Sequence, residues 1–198
     1  DKSMAAVPPG QTGAKDLELT EEGTYVSCKG RESQFNWVVF DLPCEDHNVF
    51  VFEVLSLPKS IDGKMCLCSA SGRLQIQSNG KTPEAAHVFG LTGNSGSENN
   101  FGWNKGNSTS RLPFDRVWSS PKARGEEPCF AHLRVQDDEL RVFVNNTPDS
   151  PPPEEFLFLQ KVDPSKGPWY PCIGLYYGGA AIRFVRAEDG HVMVKAAR

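Results

Sequence analysis

The stretch "NVFVFEVLSL", residues 48–57, constrains the fold more than any other part of the chain. Read with period two, Val49, Val51 and Leu55 fall on one face and Phe50, Phe52 and Val54 on the other. A strand that is apolar on both faces must be covered on both, which places it at the centre of a layered sheet. Glu53 is its single charge. Further strand-like runs follow the same logic. "FNWVVFDL" puts Phe35, Trp37 and Val39 on one face and Val38 and Phe40 on the other. "KMCLCSA" and "RLQIQS" come next, the latter alternating Leu74 and Ile76 with Arg73, Gln75 and Gln77, which predicts a strand with one wet face. "CFAHLRV-QDDE-LRVFVNN" reads as a hairpin across an acidic turn. "GPWYPCIGLYYGGAAIRFV", residues 167–185, reads as a second hairpin turning at Tyr177-Gly178-Gly179-Ala180, because Gly-Gly supplies the positive φ angles of a tight turn.

With 18 Gly and 15 Pro among 198 residues, many short strands and turns are favoured over long helices. The expected fold is therefore all-β, a two-sheet antiparallel β-sandwich forming a single domain over residues 17–198. Residues 1–16 are polar and Pro/Gly-bearing, and are expected to form a flexible N-terminal arm.

The net charge of −4 argues against a nucleic-acid partner, which calls for a basic excess. No run of about 18 apolar residues is present to span a membrane as a helix. The opening residues lack the apolar core of a signal peptide. Six cysteines, Cys28, Cys44, Cys66, Cys68, Cys129 and Cys172, are scattered, and most sit in apolar strand-like runs. Reduced, buried thiols fit that placement better than three disulfides, and an intracellular site, cytoplasmic or nuclear, follows.

No arrangement carries catalysis. Cys66-Leu67-Cys68 puts two thiols on one strand face, without a second Cys/His pair at ligand spacing, so no metal site is expected. His47, His87, His132 and His191 are widely separated. Asp137-Asp138-Glu139 lies at the centre of the expected hairpin turn, where carboxylates are solvated rather than tuned for proton transfer. The Gly-rich "TGNSGSENNFGWNKGN" lacks the ending of a phosphate-binding loop. The expectation is a protein that is not an enzyme and holds no cofactor.

Residues 90–128 differ in character, being rich in Gly, Asn and Ser yet holding Phe101, Trp103, Phe114 and Trp118. Long loops with large aromatics are packed Ω-like loops or binding loops. The expected partner-binding residues are Asn99, Asn100, Trp103, Asn104, Arg111 and Trp118, which combine aromatic anchors, adaptable amides and a guanidinium. Trp103 stands open between a recognition role and a core role.

The order of these motifs resembles that of SPRY domains. "NVFVFEVLSL…GKMCLCSA" is similar to the family's early strands, with Glu53 at the family's Glu position, and "LRVFVNNT" followed by "GPWYPCIGLYYGGAAIRFV" is similar to its last strands. Val144-Asn145-Asn146 stands where the family has Phe-Asn-Gly, and "EEPCFAHLRV" replaces its usual lead into that hairpin. The resemblance covers residues 35–186. It implies a concanavalin-like jelly roll that binds a peptide or protein partner through surface loops as part of a larger protein. The alternative within the same class is a carbohydrate-binding, lectin-like domain of the galectin or laminin-G kind; the galectin His/Arg/Trp sugar signature is absent.

Overall fold

The structure, a computed structural model, describes residues 4–30, 35–56, 63–82, 88–93, 101–105, 108–111, 128, 130–176 and 178–190. Its strands are β1 (Met4–Ala5), β2 (Gly10–Gln11), β3 (Leu17–Thr20), β4 (Tyr25–Cys28), β5 (Asn36–Phe40), β6 (Val49–Ser56), β7 (Gly63–Cys68) and β8 (Val88–Gly93). After these come β9 (Phe101–Lys105), β10 (Ser108–Arg111), β11 (Phe130–Gln136), β12 (Glu139–Asn145), β13 (Leu157–Lys161), β14 (Tyr170–Leu175) and β15 (Ala181–Glu188). They form two antiparallel sheets. The first, sheet A, runs β13-β12-β11-β6-β15-β4-β3, with β1 added to β15; the second, sheet B, runs β10-β9-β8-β7-β14-β5-β2. The two-sheet sandwich expected from the strand patterns is what forms.

The alternation read from the sequence places the core. Val38 and Phe40 on β5, Phe50, Phe52 and Val54 on β6, Met65 and Leu67 on β7, Leu133 on β11, Ile173 and Leu175 on β14, and Ile182 and Phe184 on β15 meet between the sheets. Strand β6 lies between β11 and β15 and is buried on both faces over residues 49–52, as its two-sided apolar pattern requires. The hairpin β11–β12 turns at Asp137 and Asp138, with φ of 52° and 58°. Two successive left-handed residues make the tight turn that matches strand twist, and Asp is among the few residues that accept that backbone.

Four expectations are corrected. First, residues 167–185 do not form a hairpin. Strand β14 belongs to sheet B and pairs with β5 and β7, whereas β15 belongs to sheet A and pairs with β4 and β6. The Gly178-Gly179 turn therefore crosses from one sheet to the other, and both strands still aim their apolar sides into the shared core. A turn-compatible dipeptide fixes a reversal, not the partner.

Second, "RLQIQS" is not a strand but part of a helix, α1 (Ala70–Asn79). The hydroxyl of Ser69 accepts from the Gly72 N–H at 3.2 Å, capping the start. Gly80 ends it in the left-handed region, φ 65°, with its N–H donating to Ile76 O at 2.8 Å. Four alternating residues do not separate the two periods; these caps do. Gly72 and Ile76, one turn apart, are the helix's buried residues, while Leu74 is 61% exposed.

Third, the 1–16 arm is docked over residues 4–16. Strand β1 pairs with β15, and β2 with β5. Thr12 Oγ1 donates to Trp37 O at 2.6 Å, and Gly13 N–H donates to Ile76 O at 3.0 Å. Polar composition predicts solvation of side chains, but this arm is held chiefly through its backbone.

Fourth, part of the long loop expected over 90–128 is regular. Strands β8, β9 and β10 form a meander that extends sheet B at one edge. Gly and Asn conceal the alternation there, because edge strands need little apolar side chain.

The outer faces of the two sheets are covered differently. Outside sheet B, Trp37, Val39, Cys66, Cys68 and Cys172 pack with Ile76 of α1. Outside sheet A, an apolar island of Val49, Val51 and Phe130 adjoins buried His132, Arg134 and Glu188. The segment 146–156 straps this face: Arg186 donates to Pro148 O, and Ser150 Oγ donates to Glu188 Oε2 at 3.2 Å. Arg134 stacks on Phe156, with 4.7 Å from guanidinium carbon to ring centre.

Candidate functional site

The connections at one end of the sandwich enclose an open cleft of about 580 Å³. That is within the range of pockets that hold a small ligand or a few side chains. Three segments build it: the 44–48 connection between β5 and β6, the β11–β12 turn, and the loop that leads from β13 to β14. Val135, Val162, Pro164, Pro168 and the edge of Trp169 give it apolar walls, and Glu45, Asp137 and Asp138 bring carboxylates.

Backbone and side-chain hydrogen bonds fix these segments to one another. Asn48, 2% exposed, donates through Nδ2 to Val135 O at 3.0 Å and accepts the Val135 N–H on its own carbonyl at 2.8 Å. Its Oδ1 accepts from Gly190 N–H at 2.6 Å. Val162 N–H donates to Asp138 O at 2.7 Å, tying the β13 end to the acidic turn. Trp169 Nε1 donates to Asp163 O at 3.0 Å, and Cys44 N–H donates to Trp169 O at 2.9 Å. The Gly167–Pro168 peptide in this wall is cis. These bonds tie the three segments into one concavity.

Among the described lining residues Cys44 is the one sulfur nucleophile, and burial pushes its thiol well above the ordinary range, so it stays protonated and unreactive. Among the described residues, no histidine, serine or threonine lines the cleft. No group of three or more His, Cys, Asp or Glu positioned for a metal exists among the described residues. Elsewhere, the Cys66 thiol is pushed up to about 12 by burial, and Cys172 is raised in the same way. Both Cys66 and Cys68 face α1, as the one-face reading of that pair required. Cys28, Cys44, Cys66, Cys68 and Cys172 carry thiols rather than disulfides; Cys129 lies outside the described residues.

The residues expected to bind a partner lie elsewhere. Trp103 and Asn104 are on β9 and Arg111 is on β10, at the edge of sheet B; Asn99, Asn100 and Trp118 lie outside the described residues. In register, Trp103 stands opposite Ser110 and Leu91, and Leu91 opposite Met65. Position 103 thus belongs to the row that holds Met65, a core residue. Asn104 pairs with Thr109, and Arg111 with Gly102. The acidic turn is legible in the sequence as solvated carboxylates; that Glu45 and the Trp169 loop join it is not, because they are remote in sequence.

No family model and no curated protein matches this sequence. Solved structures do match it along nearly its whole length. The TRIM65 PSpry domain is 9% identical over 93% of this chain and 92% of that chain, with a TM-score of 0.54. A lectin from Bauhinia forficata in complex with GalNAc is 10% identical over 95% and 96%, also at 0.54. The exoplasmic/lumenal domain of VIP36, in a Ca2+/Man-bound form, is 12% identical over 96% and 84%, at 0.52. At these identities the likeness establishes fold. The chain is a concanavalin-like jelly-roll sandwich, the class that the order of its motifs implied. Within that class it has the architecture of an SPRY-type domain and of the lectins alike.

Proposed function

We propose that the chain is a non-catalytic module that binds a peptide or protein partner through the loops and edges of its sandwich, inside the cell and within a larger protein. One observation carries this reading. The cleft joins apolar walls to three carboxylates, and its described thiol, Cys44, is held protonated by burial. The thiol state supports an intracellular setting, since disulfides characterise oxidising compartments. The 99–118 region serves as a second contact surface, with Trp103 and Asn104 on β9 and Arg111 on β10, and with Asn99, Asn100 and Trp118 close by in sequence. Carbohydrate binding is the competing function, as the lectins share the fold.

The test places a photo-crosslinking residue at Glu45 or at Asn104 and analyses products from cell extract, alongside a glycan array. Crosslinks to a defined protein at either position support the reading. Glycan binding without protein crosslinks, or six cysteines found in three disulfides, overturns it. For the edge surface, Trp103→Ala should weaken partner binding by about 2 kcal/mol or more, typical of a hot-spot aromatic, with little change in Tm. A large loss of stability with unchanged affinity would assign Trp103 to the core row in which the register places it.

A further inference from the structure

We infer that the cleft between the 44–48 connection, the β11–β12 turn and the Trp169 loop receives a Lys- or Arg-bearing peptide segment of a partner protein. This rests on the protein-binding function proposed above and specifies the chemistry of one of its sites.

Donors and acceptors in this cleft are unequally matched. Most of the lining's donors are already spent. The Asn48 amide, the Trp169 indole and the backbone N–H groups of Cys44, Val135, Val162 and Gly167 all donate within the chain. Pro164 and Pro168 have no N–H to offer. The acceptors, by contrast, are in surplus. Glu45, Asp137 and Asp138 bring three carboxylates, and Gln136 Oε1 has no hydrogen-bond partner. Among the described residues, no lysine, arginine or histidine lines the space; Lys161 and Lys166, which flank the wall segment, are exposed and outside it.

A ligand that complements such a surface is rich in donors and positive. Lys and Arg side chains are donors only, and the guanidinium matches carboxylates in a bidentate fork. Their aliphatic stems also suit the apolar part of the lining, where a long side chain lies along Val135, Val162 and Pro168 while its head reaches the rim. The net charge of −4 favours the same approach from a distance.

The acidic turn permits a clean test. Asp137 and Asp138 have φ of 52° and 58°, a backbone that Asn adopts as readily as Asp. Asp→Asn there removes charge and preserves the turn. The probe is a random 12-residue peptide library displayed on phage, selected on the wild-type domain. Recovered peptides are then synthesised and their Kd measured by fluorescence polarisation. The expected result is enrichment of Lys and Arg, with affinity at least about tenfold weaker for the Glu45→Gln/Asp137→Asn/Asp138→Asn variant, a loss of about 1.4 kcal/mol. Raising salt from about 50 to about 500 mM should weaken wild-type binding and leave the variant's residual binding nearly flat. Glu154→Gln, an exposed carboxylate outside the cleft, should change nothing. If the triple variant does not melt cooperatively, Glu45→Gln alone carries the test and must still weaken binding. Peptides without basic enrichment, or affinity indifferent to these variants, overturn the inference and leave the protein-binding function standing. Glycan binding with neither peptide nor protein bound overturns both.

Discussion

The outer face of sheet B and the outer face of sheet A solve the same problem with different chemistry. A sandwich leaves each sheet with a second side, and central strands there need cover. On sheet B the cover is apolar: α1 lays Ile76 over Trp37, Val39 and three cysteines. On sheet A the cover is largely polar. The strap 146–156 lies over His132, Arg134, Arg186 and Glu188: Thr147 O and Pro148 O accept from His132 and Arg186, Ser150 Oγ donates to Glu188, Arg186 pairs with Glu188, and Arg134 stacks on Phe156. Apolar cover tolerates small shifts, because burial has no direction. Polar cover has to be satisfied group by group, since a buried charge without its partner is costly. Sheet A's exterior is therefore the half whose integrity depends on individual atoms.

The largest expected effect tests whether the sheet A exterior differs from the core beneath it. Leu175→Asp puts a carboxylate between the sheets among Met65, Ile173 and Ile182, which costs several kcal/mol, on the order of a whole domain's stability. It should abolish cooperative unfolding. Val51→Asp is also fully buried, but Val51 stands in register between His132 and Arg186. It should be the milder change, leaving a measurable urea transition at lower midpoint. Equal damage from both would mean that the charged exterior lends no compensation.

Next comes Glu188→Gln. Glu188 accepts from Arg186 Nε at 2.5 Å and is 5% exposed. Removing its charge leaves Arg186 and the neighbouring Arg134, two of whose nitrogens already lack partners, without a buried anion. The expected cost is about 3 kcal/mol by denaturant melt. A change under about 1 kcal/mol would show that strap carbonyls alone suffice.

On the opposite face, Gly80→Ala asks whether α1 and the docked arm form one cover. A Cβ at Gly80 would stand 2.3 Å from Ala14 Cβ, on a backbone with φ of 65°. Overpacking plus left-handed strain should cost about 2 kcal/mol. Limited proteolysis should then cut the 4–16 arm more readily. Lost stability with an arm still protected would separate the two layers.

The smallest effect is a pH slope confined to sheet A. His132 Nε2–H donates to Asn145 Oδ1 at 2.9 Å and to Thr147 O at 3.3 Å, and burial holds its pKa below the ordinary 6.5. Between that lowered value and about 6.5 the unfolded chain binds the proton and the folded one does not. Stability is thus complete above about pH 6.5 and declines as pH falls below it. His132→Gln should flatten that part of the profile in thermal melts, while Ile76→Val, on sheet B, should lower the profile and keep its slope.

The same contrast explains what could be read from the sequence. The core was legible because its residues alternate: Phe50, Phe52, Ile173, Leu175, Ile182 and Phe184 sit where period two put them. Trp37 and Val39 were legible as a second face. The charged exterior of sheet A was not, because His132, Arg134 and Arg186 occupy the alternate positions that a wet strand face would use. What buries them is a Pro-rich segment whose docking has no local pattern. Strand partners were illegible for a related reason: the Gly178-Gly179 turn specifies a reversal, while membership of a sheet is decided by β6 and β5, more than a hundred residues earlier. The cleft combines both difficulties. Asp137 and Asp138 were recognised as a turn, but Glu45, Val162 and Trp169 join them only through tertiary structure.

The pairing of β6 with β15 sets the order of assembly during synthesis. Strand β15 fills the centre of sheet A, between β6 and β4, yet its residues 181–188 are translated some 130 positions after those of β6. Until they leave the ribosome, one edge of β6 has no neighbour, and the apolar Phe50 and Phe52 lack Phe184, which stacks on Phe52 with ring centres 4.8 Å apart. Native pairings this distant delay collapse to the final topology and lengthen the lifetime of species with open strand edges. The nascent chain consequently has to be kept from self-association until β15 has been made, and its yield on expression should respond more to chaperone supply and growth temperature than its final stability would suggest.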